Sequence, residues 1–355
     1  MMKAIILFVI TGFVLATDCL GQEGVVEQYF QIEDVTSEAS GGVYSVPLVR
    51  SNTNPDAAYK INQVIQLVIV RKSYSVAGKS MFDEMLNKDG YGTESLGYTI
   101  LLNSPAILSI RFDDQTMSSY PDSHTYYLNF NSATGDIIDV AELLNKQGID
   151  HLNDLAGSTF NERIKARHSE ILKDDSIDED ERKESLDYVF DLTECNATHE
   201  IWKFGITGEF IIVEKDHCFP HVIQMFDISW ACGIKVKDLY SRDFTSYGKA
   251  LLREGKTDNS RHFDAKESLM TLHGKIDSKY PFTMYLDIND DNSIGGGYWY
   301  DKFGKLVDFE GKRVSASKIE LTEEGGKFVL TIVGTGEILG SWYNKEGRPL
   351  PITFY

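Results

Sequence analysis

The sequence lacks the short motifs that mark the common catalytic sites. It has no nucleophile elbow, no phosphate-binding glycine loop, no zincin helix and no paired cysteine–histidine signature. We therefore expect a non-enzymatic protein that needs no cofactor. Two carboxylates can still meet in space among the 54 acidic residues. A glycan-acting hydrolase that uses a carboxylate pair is therefore the alternative.

Long apolar runs are also scarce. Residues 1–21 hold the positive Lys3 and a short apolar stretch over 4–16, which predicts a signal peptide. No later stretch is apolar enough to cross a membrane. We expect a periplasmic or extracellular protein. A lipid anchor at Cys19 is the less favoured alternative, because that signal needs a small residue before the cysteine and Asp18 stands there.

Positive charge is in deficit: 35 lysines and arginines stand against 54 aspartates and glutamates, for a formal net charge of −19. Residues 246–355 hold 15 basic and 16 acidic side chains, and residues 1–21 hold one of each, which leaves −18 on residues 22–245. Such a domain repels nucleic acid and attracts basic partners, although acidity that only keeps an exported protein soluble is the simpler interpretation. Its most acidic run, 174–187, is predicted to be a solvated connector.

Only three cysteines remain after the signal peptide. Cys195 and Cys218 stand almost symmetrically about residues 207–208, the predicted turn of a hairpin. They could therefore face each other, and an exporting compartment allows a disulfide. Cys232 is left over.

Two stretches of the sequence contain residue types that bind metals, and each also has a simpler interpretation. His199, His217 and His221 lie near the cysteines, and sulfur with imidazole suits zinc, but their spacing is not that of a known finger or ribbon. The acidic run 287–293 resembles a calcium loop but lacks the glycine and the final glutamate of such loops. A disulfide or free thiols and a polar turn are favoured, so no metal is expected.

Two textures of sequence predict two domains. Residues 22–245 mix strands with amphipathic segments, one beginning at Asn54 and one spanning 152–171. They predict an α+β domain with an antiparallel sheet and two main helices. Residues 246–268 are the predicted linker.

Residues 269–355 show eight short strands with glycine-rich turns, which predict an antiparallel barrel or sandwich. This part repeats itself, since residues 297–305 match residues 340–348 at an offset of 43. Each copy carries one tryptophan, and Trp299 and Trp342 are candidates for stacking on sugars. Strand alternation puts Trp299 on the face opposite its tyrosine neighbours, so at least one set belongs to the core.

A resemblance to a known family rests on a strand, a proline loop, an aromatic strand, a Thr-Gly turn and a hydrophobic lead into a short helix. In chain order these are 107–112, Tyr120-Pro121, 126–130, Thr134-Gly135 and 138–144. The arrangement resembles the extracytoplasmic domain of unknown function found in the lysozyme-sensing anti-sigma factor RsiV and the deacetylase PdaC, over residues 43–240. The family often has histidine where Tyr120 stands, and residues 140–144 depart from its Leu-x-Asp-Leu-Phe.

The resemblance implies the fold more than a partner, although the anti-sigma relatives bind lysozyme, a basic protein. The C-terminal repeat resembles β modules of exported Bacteroidetes-type proteins. We expect an exported, non-enzymatic binding protein of the bacterial cell envelope. Its acidic domain would engage a basic, lysozyme-like protein or cell-wall polysaccharide.

Overall fold

The computed structural model describes residues 29–39, 42–71, 92–117, 121–198, 203–215, 218, 228–257, 269–289, 291–333 and 337–355. Several sequence predictions lie outside these residues: the signal peptide with Cys19, then Tyr120, His199, His217, His221 and the last part of the predicted linker. Within the described ranges, none of the helices combines the length and the apolar character needed to cross a membrane.

The first layer is a five-stranded sheet in the order β1-β2-β3-β4-β5. Its strands are β1 (Gln31–Ala39), β2 (Gly42–Arg50), β3 (Gly92–Asn103), β4 (Ile107–Met117) and β5 (Pro121–Asn131). Neighbours pair antiparallel except β2 and β3, which pair parallel. The sheet is therefore mixed, not antiparallel as predicted. The chain passes through a helix between β2 and β3, and such a crossover brings the second strand back in the same direction.

That helix, α1 (Pro55–Ile65), begins as the sequence predicts. The Asn54 side chain accepts a hydrogen bond from the Ala57 amide at 3.4 Å, and Pro55 occupies the first turn, where no N–H is needed. Its apolar stripe is buried against one face of the sheet. A π-helical turn, Gln66–Val70, continues the helix.

The second layer covers the other face of the sheet. It contains the short α2 (Val140–Leu143), two long helices α3 (Lys146–Lys173) and α4 (Glu179–Thr198), and a sheet of β6 (Lys203–Ile206), β7 (Phe210–Glu214) and β8 (Ala231–Lys235). The β6–β7 hairpin turns where the sequence predicts. Hydrogen bonds fix it to the large sheet: the Ile206 amide donates to Ser109 Oγ at 3.0 Å, and Asn129 Nδ2 donates to the Phe204 carbonyl at 2.9 Å.

Helix α4 corrects the prediction of a solvated connector over 174–187. Acidic side chains at 179–181 lie at the positive end of the helix dipole, which favours a helix start there. Val189, Leu192 and Cys195 recur every three residues. They are buried in the second core, which is the apolar cluster formed mainly by α3, α4 and the three-stranded sheet. The many charged residues nearby favour the prediction of a solvated connector over that of a helix with an apolar face.

Part of the predicted linker also belongs to the second core. Residues 246–253 form α5 (Ser246–Gly248) and a π-helical turn, and Tyr247 and Leu251 are buried there. A Cβ on Gly248 would lie 1.9 Å from the Leu143 carbonyl oxygen, so this close approach needs glycine.

Residues 269–355 form a closed antiparallel barrel of eight strands, as predicted. The strands are β9 (Leu269–Ile276), β10 (Tyr280–Ile288), β11 (Ser293–Tyr300), β12 (Val307–Ser315), β13 (Lys318–Glu323), β14 (Gly326–Val333), β15 (Glu337–Asn344) and β16 (Pro349–Phe354). Pairing of β16 with β9 closes the sheet, which decides for the barrel over the sandwich.

The barrel is docked on α1 and its π-helical turn. Trp299 Nε1 donates to Gln63 Oε1 at 2.9 Å, and the Tyr59 hydroxyl donates to Asp301 Oδ2 at 2.8 Å. Trp299 lies opposite Thr283 of β10, and both side chains are on the outer face of the barrel. Trp299 is nevertheless fully buried. The outer face of β10 and β11 is therefore an interface, not a free surface.

Candidate functional site

The two tryptophans predicted to stack on sugars lie in different environments. Trp299 has no exposed area, because α1 covers the outer face of the barrel over it. It cannot stack on a sugar, which corrects that prediction. Trp342 lies opposite Phe328, a fully buried side chain of the barrel core, so it points inward. The two copies of the 43-residue repeat are therefore similar in sequence, but their tryptophans lie on opposite faces of the sheet.

The structure joins Cys195 and Cys218 in a disulfide, with Cα atoms 5.9 Å apart. The bond ties the C-terminal turn of α4 to the segment that follows β7. Cys232 is buried in β8 and does not belong to a disulfide. In the described parts of the chain, no group of three or more histidine, cysteine, aspartate or glutamate side chains could hold a metal ion.

The calcium-like run 287–293 contains a hairpin turn. Asn289 donates its amide to the Ser293 carbonyl at 2.9 Å, and Asn292 has a φ of 66°. Asp291 Oδ1 accepts the Ser293 amide at 2.9 Å, a side-chain contact typical of a polar turn. Asp290 lies outside the described residues.

The most distinctive charged surface is a carboxylate stripe on α4. Every acidic residue of this helix is exposed. Five of them follow one another at intervals of three or four residues, which places them on one face of an α-helix. These are Asp180, Glu184, Asp187, Asp191 and Glu194. At 1.5 Å per residue the stripe runs for about 21 Å along the helix.

Three members of the stripe, Asp180, Asp187 and Asp191, form no ion pair with the residues that the structure describes. The Tyr188 hydroxyl donates to Glu184 Oε1 at 3.5 Å. Like charges three or four residues apart on a helix repel and destabilise it. The chain thus maintains an unfavourable line of negative charge on an exposed helix.

An exposed aromatic ring borders the stripe. Phe190 follows Asp187 by three residues and precedes Glu194 by four, and 62% of it is exposed. The opposite face of α4 is buried in the second core, so Phe190 is not needed for that packing. Leu172, near the end of α3, is 52% exposed as well. Phe190 thus adds exposed apolar area beside the stripe.

The C-terminal end of α4 is held firmly. Buried Lys215 donates from Nζ to the Asn196 carbonyl at 3.0 Å and to Asn196 Oδ1 at 3.1 Å. Asn196 Nδ2 in turn donates to the Gly157 carbonyl of α3 at 3.0 Å. The ammonium lies at the negative end of the helix dipole, where a cation is favourable. Burial lowers the pKa of Lys215.

The fold brings together one partly buried pair that the sequence did not predict. His151 Nδ1 lies 2.8 Å from Asp243 Oδ2, although the two residues are 92 positions apart. Burial raises the pKa of Asp243, but the hydrogen bonds from His151 and the Tyr240 amide, with the charges of His151 and Arg242, outweigh it and hold the pKa below its ordinary value. No local motif signals this pair, because its members come from separate elements.

Three other carboxyl groups have raised pKa values: Asp114, Asp287 and Asp301. In each case burial is the largest cause. The carboxylates of Asp122 and Asp113 also raise the pKa of Asp114.

No family model and no curated protein matches the chain. Among solved structures, a DUF3298 family protein from Pseudomonas aeruginosa PAO1 is similar, with 8% sequence identity and a TM-score of 0.36. The alignment covers 61% of this chain and 95% of the Pseudomonas chain. A member of the DUF3298 family from Bacteroides fragilis is 11% identical with a TM-score of 0.37, covering 63% and 95%. Because both TM-scores are below 0.5, these likenesses say nothing about function.

Proposed function

We propose that this chain is an exported, non-enzymatic binding protein of the bacterial cell envelope. Its carboxylate stripe on α4 would bind a basic protein. The observation that carries the proposal is the line of five exposed carboxylates beside exposed Phe190. A cationic surface that covers the stripe offsets the repulsion between its carboxylates. Binding of a basic protein is therefore electrostatically favourable.

The two parts of the surface have different expected roles. The carboxylates steer a basic partner and raise its association rate, which falls with salt because exposed charges are screened within about 8–10 Å at physiological ionic strength. Phe190 supplies apolar area that is desolvated in the complex and so governs dissociation. Lysozyme is the first partner to test, since residues 43–240 resemble the domain of lysozyme-sensing anti-sigma factors. Cell-wall polysaccharide is the other candidate.

The test measures binding kinetics of immobilised lysozyme with residues 22–355 at low and high salt. Asp187→Asn with Asp191→Asn should slow association several-fold at low salt and flatten its salt dependence. Phe190→Ala should speed dissociation about tenfold, the loss expected of an interfacial anchor.

The matched control is Glu310→Gln with Glu346→Gln. Both glutamates are exposed on the barrel, and the change in net charge is the same. This control should bind like the parent protein. Equal effects of both double variants would show that net charge alone acts, and absence of binding at low salt would reject a basic partner of this kind.

A further inference from the structure

One end of the barrel is lined by aromatic and acidic side chains, at the mouth where β11, β13 and β15 end. Trp342 Nε1 donates to Glu323 Oε1 at 3.2 Å, and the Gly325 amide donates to the other oxygen. Burial raises the pKa of the neighbouring Tyr298 hydroxyl, and Tyr300 and Glu323 raise it further. The Glu323 carboxylate of β13 thus binds one group from β15 and one from a turn.

The register shows that these side chains point into the barrel. Glu323 follows the buried Leu321 by two residues, so both share a face of β13. Tyr300 lies directly opposite Phe282, which is fully buried in the barrel core. The core below is filled, and the Tyr298 ring packs on Phe328 with centroids 5.0 Å apart. Aromatic side chains therefore line the mouth above a filled apolar core.

Aromatic surface continues from this mouth to the solvent. Tyr280 is 50% exposed and Phe303 is 62% exposed, and both make edge contacts with Tyr300, at 6.2 and 6.5 Å between ring centroids. A side-chain plug that only closes the barrel would not need exposed rings.

We propose that this mouth is a glycan-binding site that takes a pyranose ring. The apolar face of a pyranose stacks on aromatic rings, and its hydroxyls need polar acceptors nearby. A carboxylate has about four lone-pair positions, and the donors Trp342 and Gly325 occupy two of those on Glu323. The remaining positions can accept sugar hydroxyls.

A cationic ligand fits this mouth less well. Lys302 Nζ lies 5.6 Å from the centroid of the Phe303 ring, so an ammonium group already occupies the exposed aromatic surface. A second cation would be repelled, whereas a neutral sugar would not. The site is separate from the stripe on α4 and is expected to be indifferent to salt.

The experiment is isothermal titration calorimetry of residues 22–355 with three neutral hexasaccharides: β-1,4-linked N-acetylglucosamine, β-1,4-linked glucose and α-1,4-linked glucose. At least one should bind with a Kd of about 1 mM or tighter, unchanged between low and high salt. Trp342→Ala and Tyr300→Ala should weaken that binding at least about tenfold.

Two further variants separate a sugar site from a structural plug. Phe303 is mostly exposed, so Phe303→Ala should keep the melting temperature and still weaken binding about fivefold. Tyr343→Ala, next to Trp342 on the opposite face of β15, is the matched control and should bind like the parent. Absence of heat with all three sugars, or equal affinity in the Phe303 and Tyr343 variants, would overturn the proposal.

Discussion

Trp299 and Gln63 offer a direct test of how the barrel is joined to the rest of the molecule. Their side chains form a 2.9 Å hydrogen bond between residues that are 236 positions apart. Trp299 is fully buried and Gln63 is 8% exposed. Neither group can turn to water when its partner is removed, so each single substitution should leave a buried polar atom unsatisfied.

The magnitudes follow from this burial. Gln63→Met keeps the side-chain volume and removes the acceptor, which should destabilise the protein by about 1–3 kcal/mol. Trp299→Phe leaves the Gln63 carbonyl unsatisfied and also opens a cavity, so it should cost more, about 3–5 kcal/mol. In the double variant no unpaired polar atom remains. It should therefore be less destabilised than the sum of the single variants by about 1–2 kcal/mol.

The assay is urea unfolding of all four proteins in the double-mutant cycle, followed by circular dichroism and by tryptophan fluorescence. A matched cycle at an exposed contact, Arg71→Met with Asp308→Asn, joins the same two parts through a 2.8 Å ion pair and should show coupling below about 1 kcal/mol. A coupling energy near zero for Gln63 and Trp299 would refute the buried interface.

Three other perturbations test the second core. Lys215→Met should destabilise the protein by about 1–3 kcal/mol in thermal unfolding, because the oxygens of Asn196 lose their buried donor. Cys195→Ser with Cys218→Ser should cost about 3 kcal/mol, the value for a loop of 23 residues, and a reducing agent should then lower the melting temperature of the parent only. The folded pKa of Asp243 lies below its ordinary value of 3.8, so its stabilisation is complete above that pH and is lost as pH falls through the folded pKa. Asp243→Asn should accordingly destabilise the protein at pH 7 and have less effect near pH 2, as a series of unfolding curves would show.

Local patterns were enough to predict an antiparallel unit of eight strands, whereas the choice of a barrel over a sandwich depends on the pairing of β16 with β9. Each strand alternates, and each turn has its own polar or glycine residues, so the eight strands are encoded over a few residues each. The start of α1 is equally local, since Asn54 and Pro55 act within one turn. The hairpin at 207–208 and its flanking cysteines belong to the same class, because their geometry depends on a short span.

Long-range arrangement could not be predicted in this way. The parallel pairing of β2 with β3 depends on how α1 crosses the sheet. Trp299 is an outward-facing residue on its strand, and only the docking of α1 makes it a buried one. The helix α4 was missed for a different reason: its apolar positions recur regularly, but the density of acidic residues suggested a solvated connector.

Helix α4 is held by a disulfide and a buried lysine at its C-terminal end, where its carboxylates are unfavourable. At the N-terminal end the acidic residues 179–181 face the positive end of the dipole, and their charge is favourable there. At the other end Asp191 and Glu194 face the negative end, and the last turn contains no basic residue. A free helix would fray at that end. The disulfide of Cys195 and the ammonium of Lys215 are both placed there. The fold thus stabilises the end where the carboxylates are unfavourable instead of removing them, which is expected if the intact stripe is needed to bind a basic partner.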